Sequence, residues 1–230
     1  MTQKPMDPVS PLRRMRESIV FFRVYWWELL QFFIVLYLPV MVVTLVLPEG
    51  FRNGFPALAF IFNFFYQPIY TGALIYQLAR IEGGQPWTVR EGFITGVRLW
   101  DKLLLVNLVS LGLTLAGLMA FIVPGLIAYA RLALAEFRVV LAGDAPKDAL
   151  KGSFDMTRPF ALSIITCTAV LFGVFLSLQL VIEWLTVTLA LPPLFPETLN
   201  ILLSVVLMVY LTILLFRFYG LAGSPALRPD

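Results

Sequence analysis

Residues 103–142 read LLLVNLVSLGLTLAGLMAFIVPGLIAYARLALAEFRVVLA. They hold two apolar runs, 103–123 and 126–142, each about long enough to cross the hydrocarbon core of a bilayer, which takes roughly 17–25 helical residues. Only the tight Val123-Pro124-Gly125 turn joins them. The pair is therefore expected to form a helical hairpin with Pro124 and Gly125 at its turn, and the chain to be an integral membrane protein.

Working outward, four more apolar segments bring the expected spans to six: 24–47, 56–78, 161–185 and 199–218. Composition agrees, since 60% of the 230 residues are hydrophobic and 13% charged, where a soluble domain has about half and about a quarter. Six spans of about 20 residues take roughly 120 positions, which leaves room for loops and for no separate soluble domain. Residues 1–230 are thus read as one polytopic all-α membrane domain. Pro39 and Pro68 fall inside the first two segments, where the missing backbone donor predicts kinks.

The few charges are placed unevenly. Lys4, Arg13, Arg14, Arg16 and Arg23 flank the first segment; Arg80, Arg90, Arg98 and Lys102 lie between the second and third; Arg138, Lys147, Lys151 and Arg158 between the fourth and fifth; Arg217 and Arg228 at the end. The opposite face carries only Arg52, with Glu49, Glu183 and Glu197. Basic loops stay on the cytoplasmic side, so both termini are expected there. Residues 24–47 are too long for a signal-peptide core and lack an A-x-A site, which marks them as a retained first helix.

The three inner segments share a spacing. Pro11, Pro86 and Pro146 are each followed after twelve residues by arginine (Arg23, Arg98, Arg158) and after fourteen by an aromatic (Tyr25, Trp100, Phe160). Each stretch is amphipathic at helical period: Leu12, Met15, Ile19 and Phe22; Val89, Phe93, Val97 and Trp100; Ala149, Leu150, Phe154 and Thr157. The expected unit is an interfacial helix, an outward helix and a return helix. It recurs as three parallel hairpin repeats (about 11–80, 86–143 and 146–220, with a short tail 221–230), and Arg23, Arg98, Arg158, Trp100 and Phe160 anchor the cytoplasmic interface.

The inventory excludes much chemistry. With no histidine, His-dependent triads and His metal ligands are out. The single Cys167 sits in an apolar run and allows no intramolecular disulfide or zinc spacing. No Gly-rich phosphate loop, G-x-S-x-G or paired-carboxylate motif occurs. No catalytic residue, metal ligand or cofactor is assigned, and the +3 charge reflects orientation, with no basic tract for nucleic acid.

Polar groups inside apolar segments remain. Arg131 lies seven residues past Pro124, about 10 Å along the helix, where an arginine costs about 2.5–3.5 kcal/mol on insertion scales and needs a partner. Glu136, five residues on, lies roughly 140° around the helix and is poorly placed. Glu28 is the expected partner, with Gln31, Asn63 or Asn107 joining the pair. Tyr66, Gln67, Tyr70, Tyr76 and Gln77 are either cavity lining or interface anchors.

On Pro124-Gly125, Arg131 and residues 144–158 (DAPKDALKGSFDMTR) the chain resembles the YciC-like bacterial proteins and the related membrane domain attached to some glycerophosphodiester phosphodiesterases. The likeness covers about 35 residues closely and the remainder as topology. It implies a six-helix protein of the bacterial inner membrane. The phosphodiesterase chemistry of the attached domain uses histidine and a metal, so only its membrane portion is comparable. Two functions fit these readings. The preferred one is a non-enzymatic protein whose interfacial helices engage membrane lipids or another membrane or envelope protein, in membrane or envelope homeostasis. The other is a transporter of a small solute, ion or lipid through an intramembrane Arg/Glu site. The oligomeric state is not encoded in any of these features.

Overall fold

The computed structural model describes residues 11–29, 31, 56–190, 192 and 194–223. Among them all regular structure is helical. The helices are α1 (Pro11–Val24), α2 (Pro56–Glu82), α3 (Val89–Arg98), α4 (Trp100–Ala120), α5 (Ile122–Leu132), α6 (Ala135–Phe137), α7 (Pro146–Met156), α8 (Ala161–Thr188) and α9 (Leu194–Ala222), with a π-helical turn, Arg138–Ala142, after α6. Three are long and apolar enough to cross a membrane: α4, α8 and residues Thr198–Ala222 of α9. Most of the first expected span, 24–47, and with it Pro39, lies outside the described residues. The second falls in α2, which carries Pro68 in its interior.

The fourth expected span is not one helix. The α5 helix stops at Leu132, residues 133–134 turn, and α6 and the π-helical turn follow. Its eleven residues rise only about 16 Å, short of the roughly 30 Å hydrocarbon core. The hairpin turn also moves. Reversal falls on Phe121, whose extended backbone (φ −164°) separates α4 from α5, and Pro124 and Gly125 lie in the first turn of α5. Proline there forfeits a donor that has no intrahelical partner anyway, so it starts a helix as readily as it fills a loop. Gly125 is needed for contact: a Cβ on Gly117 of α4 would come within 2.8 Å of the Gly125 backbone, so the two helices cross glycine on glycine.

In the three described stretches with the shared spacing, a short helix precedes a break: at Tyr25 after α1, at Leu99 between α3 and α4, and at residues 157–160 between α7 and α8. Pro11 and Pro146 begin their helices, whereas Pro86 lies outside α3, which Thr88 caps through a bond from the Glu91 amide. The faces they bury are narrow. On α3, Gly92 and Gly96 are buried while Phe93, Ile94 and Val97 are exposed; a Cβ at Gly96 would stand 2.1 Å from the Ile69 carbonyl oxygen, so α3 lies directly on α2. On α7, Ala149, Ser153 and Thr157 are buried and Phe154 is exposed.

The core gathers where α1, α2, α6, α8 and α9 meet, around Leu74, Leu78, Phe137, Ile164, Ile213 and Phe218. A smaller cluster of Leu103, Val106, Ala135, Val139 and Ala149 joins α4, α6 and α7. Away from them the spans are bare: Met119 is 89% exposed, Phe121 77% and Val187 77%. Apolar surface on that scale has a place in hydrocarbon and none in water.

Candidate functional site

Three long helices, α2, α4 and α9, with the shorter α5 and α6 line a cavity of about 210 Å³. The sequence supplies its polar lining as pairs spaced to share a helix face: Gln67 and Thr71 on α2, and Asn107 and Ser110 on α4. Tyr129 of α5, Glu136 of α6 and Thr212 of α9 complete it, and Met208, Leu211 and Leu215 form an apolar side. Asn107 lies seven residues along α4 from Trp100, a rise of about 10 Å.

Two features set this cavity apart. First, Thr71 Oγ1, Asn107 Nδ2 and Ser110 Oγ are buried and bond to no protein atom. An unsatisfied buried polar atom costs about 1–3 kcal/mol, and three on residues that line one small space mark it as unusually polar. Second, Glu136 is the only carboxylate of the lining, which holds no lysine or arginine. Asn107 is its polar neighbour, although the Asn107 amide nitrogen does not reach hydrogen-bond geometry. Tyr129 faces the Glu136 charge from α5.

The arginines on either side of Glu136 in sequence turn elsewhere. Arg131 places its guanidinium over the Phe154 ring of α7, 4.1 Å from the centroid. Arg138 pairs with Asp144 and approaches Met156 Sδ of α7 at 3.1 Å. The helix break between them is held by α7 as well. Ser153 Oγ donates to the Arg131 carbonyl at 2.8 Å and accepts from the Leu134 amide at 3.1 Å, and Thr157 Oγ1 lies 3.1 Å from the same carbonyl while donating to Ser153 O at 2.7 Å.

The expected Arg131 to Glu28 pair does not form. No ion pair joins the two among the described residues; the Glu28 carbonyl instead receives Gln77 Nε2 at 3.5 Å. An aromatic face and the α7 packing satisfy the guanidinium without a carboxylate. Glu136 and Asn107 are brought together, whereas Asn63 and Gln31 are exposed and outside the lining. Arg23, Arg98 and Arg158 are exposed at the helix breaks. Trp100 donates its indole N–H to the Phe65 carbonyl at 2.7 Å, one turn before Pro68. Phe160, expected at the interface, is buried against Phe218 at 6.0 Å between centroids, because the turn at 157–160 folds it onto α9. Thr71, Tyr129 and Thr212 were not singled out in the sequence, where isolated hydroxyls among apolar residues carry no signal; Gln67 and Asn107 were, and their i+4 and i+3 neighbours Thr71 and Ser110 join them in the lining.

No protein-family model, curated protein or solved structure matches the chain.

Proposed function

We propose that the chain is a non-enzymatic protein with six spans in a bacterial inner membrane, both termini cytoplasmic, that binds a small cation or cationic solute at Glu136 and carries it. The carrying observation is the lone carboxylate of a cavity lined by no lysine or arginine, beside three residues with unpartnered buried polar atoms. A carboxylate in a low-dielectric site must take up a proton or a positive ligand. From α2, α4 and α9 it is faced by neutral groups, and Tyr129 is the other titratable group of the lining. Organisation in three parallel repeats is part of the proposal, supported by the helix breaks that follow α1, α3 and α7. The resemblance to the YciC-like proteins supports the location.

Proteoliposomes loaded with a pH dye or a cation dye test the reading. Proton, Na⁺ or K⁺ flux that Glu136→Gln abolishes, and that Thr71→Ala with Ser110→Ala reduces, is the expected result. Absence of flux for all three, together with unchanged cation binding in Glu136→Gln, overturns it. A second reading, contact with lipid or with a membrane or envelope partner, is favoured by the exposed Phe93, Ile94, Val97 and Phe154 on α3 and α7. It is favoured too by an open cleft of about 700 Å³ where Arg16, Glu17, Phe21, Glu82 and Arg217 meet. It predicts vesicle binding that depends on those residues and is indifferent to Glu136.

A further inference from the structure

A second hollow of about 310 Å³ runs between the α4–α5 hairpin and α8, lined by Leu118, Leu126, Ile165, Ala169 and Phe172. Its walls are almost wholly apolar, and Leu118, Leu126 and Phe172 are exposed along it. Tyr129 belongs to both linings, that of this groove and that of the Glu136 cavity. Glu136 of the cavity and Thr168 of the groove are both neighbours of its phenol. A carboxylate, an aromatic ring and an apolar channel thus follow one another across a single residue. Each suits a different part of one molecule: the carboxylate takes a positive charge, a tyrosine ring tolerates an alkylated ammonium beside it, and the groove takes a hydrocarbon chain.

We propose that the occupant is an amphipathic organic cation, an ammonium bearing an alkyl chain, with its head against Glu136 and its chain in the groove between α4, α5 and α8. The inference rests on the Glu136 reading and narrows it from cations in general to alkylammonium compounds. An inorganic ion would use the cavity and leave the groove without a role, and a neutral lipid tail would use the groove and leave the carboxylate without one.

The test is binding of tetramethylammonium and decyltrimethylammonium to the full chain in phosphatidylcholine nanodiscs, by equilibrium dialysis, with protein-free discs subtracted. The decyl compound should bind at least about tenfold more tightly, since each methylene withdrawn from water adds to affinity. Ala169→Trp, at an exposed position of the groove wall, should erase that advantage and leave tetramethylammonium binding unchanged. Glu136→Gln should remove binding of both. Repeating the titration with phosphatidylethanolamine in the discs separates a lipid amine, which competes, from a soluble amphiphile, which does not. Equal affinity for the two compounds, or a chain advantage that survives Ala169→Trp, overturns this inference and leaves the Glu136 reading standing. Loss of neither compound in Glu136→Gln overturns both. Should that variant not fold, the wild type answers: tetramethylammonium binding that is the same at about pH 8 and at about pH 3, below the ordinary glutamate range, excludes a carboxylate as its site.

Discussion

Replacing Ser153 with alanine removes one hydroxyl and strands two backbone groups. Ser153 is fully buried, its Oγ 2.8 Å from the Arg131 carbonyl and 3.1 Å from the Leu134 amide. Each buried group that loses its partner costs about 1–3 kcal/mol, so the two together would cost about 2–6. Thr157 reduces the sum. Its Oγ1 already lies 3.1 Å from the Arg131 carbonyl, and it can donate there by releasing Ser153 O. The Leu134 amide has no such substitute, and the expected destabilisation is about 2–4 kcal/mol. Thr157→Ala alone leaves both Ser153 bonds in place and should cost about 1 kcal/mol or less, while the double variant should exceed the sum of the two, because the compensation is then gone.

The measurement is an SDS mole-fraction titration from mild micelles, read by circular dichroism, on the wild type, the two single variants and the double variant. A loosened break also displaces Glu136, two residues past Leu134, so Glu136-dependent cation binding should weaken in Ser153→Ala and survive in Thr157→Ala. A Ser153→Ala protein within about 0.5 kcal/mol of wild type, the scatter of ordinary surface substitutions, refutes the idea that α7 fixes the break.

Gly117→Ala places a Cβ 2.8 Å from the Gly125 backbone and should cost about 1–3 kcal/mol in the same titration. Gly112→Ala on the same helix meets nothing within 4 Å and should be neutral or slightly stabilising. Arg131→Gln forfeits the Phe154 contact and should cost about 0.5–2 kcal/mol while leaving Glu136-dependent binding intact; exchanging the charges of Arg131 and Glu28 should give no rescue over the single changes. Any restored stability in that exchange would reinstate a direct pair.

The all-helical, apolar character of the chain was legible from residues 103–142 and from the apolar runs around them, because the uncharged run 103–123 has the length and composition of a membrane-crossing helix. Three described helices answer to it. The break in the fourth segment was not legible. Nothing in Leu132-Ala133-Leu134 opposes a helix, and the interruption is held by Ser153 and Thr157, about twenty residues away on another helix. Helical period set Glu136 roughly 140° from Arg131, and the two do part, Arg131 toward α7 and Glu136 into the cavity lining, but a turn at 133–134 and not one continuous helix separates them. What it could not carry was the partner. A long cation in an apolar segment suggests a carboxylate, yet the face of the exposed Phe154 ring, itself read as part of an amphipathic stretch, serves the guanidinium at 4.1 Å.

That choice of partner bears on whether Glu136 is structural. A carboxylate kept only to fix helix register would be joined to a cation, and Arg131 and Arg138 are both near in sequence; each is instead engaged by a residue that leaves Glu136 alone. An unpaired buried charge is a net loss to stability, and a neutral isostere recovers part of it. Glutamine at 136 would keep the side-chain volume, retain one acceptor oxygen and gain two donors toward Asn107, Ser110 and Thr71. Glu136→Gln is therefore expected to be more stable than the wild type by roughly 1–2 kcal/mol at about pH 8, and at the same time to lose cation binding, the trade that functional groups impose on the folds that hold them. Adding tetramethylammonium should then stabilise the wild type, by mass action on the folded state, and leave the variant unmoved. A Glu136→Gln protein that is less stable than the wild type, with no response to the cation in either, would mean that the carboxylate is held by the fold for its own sake.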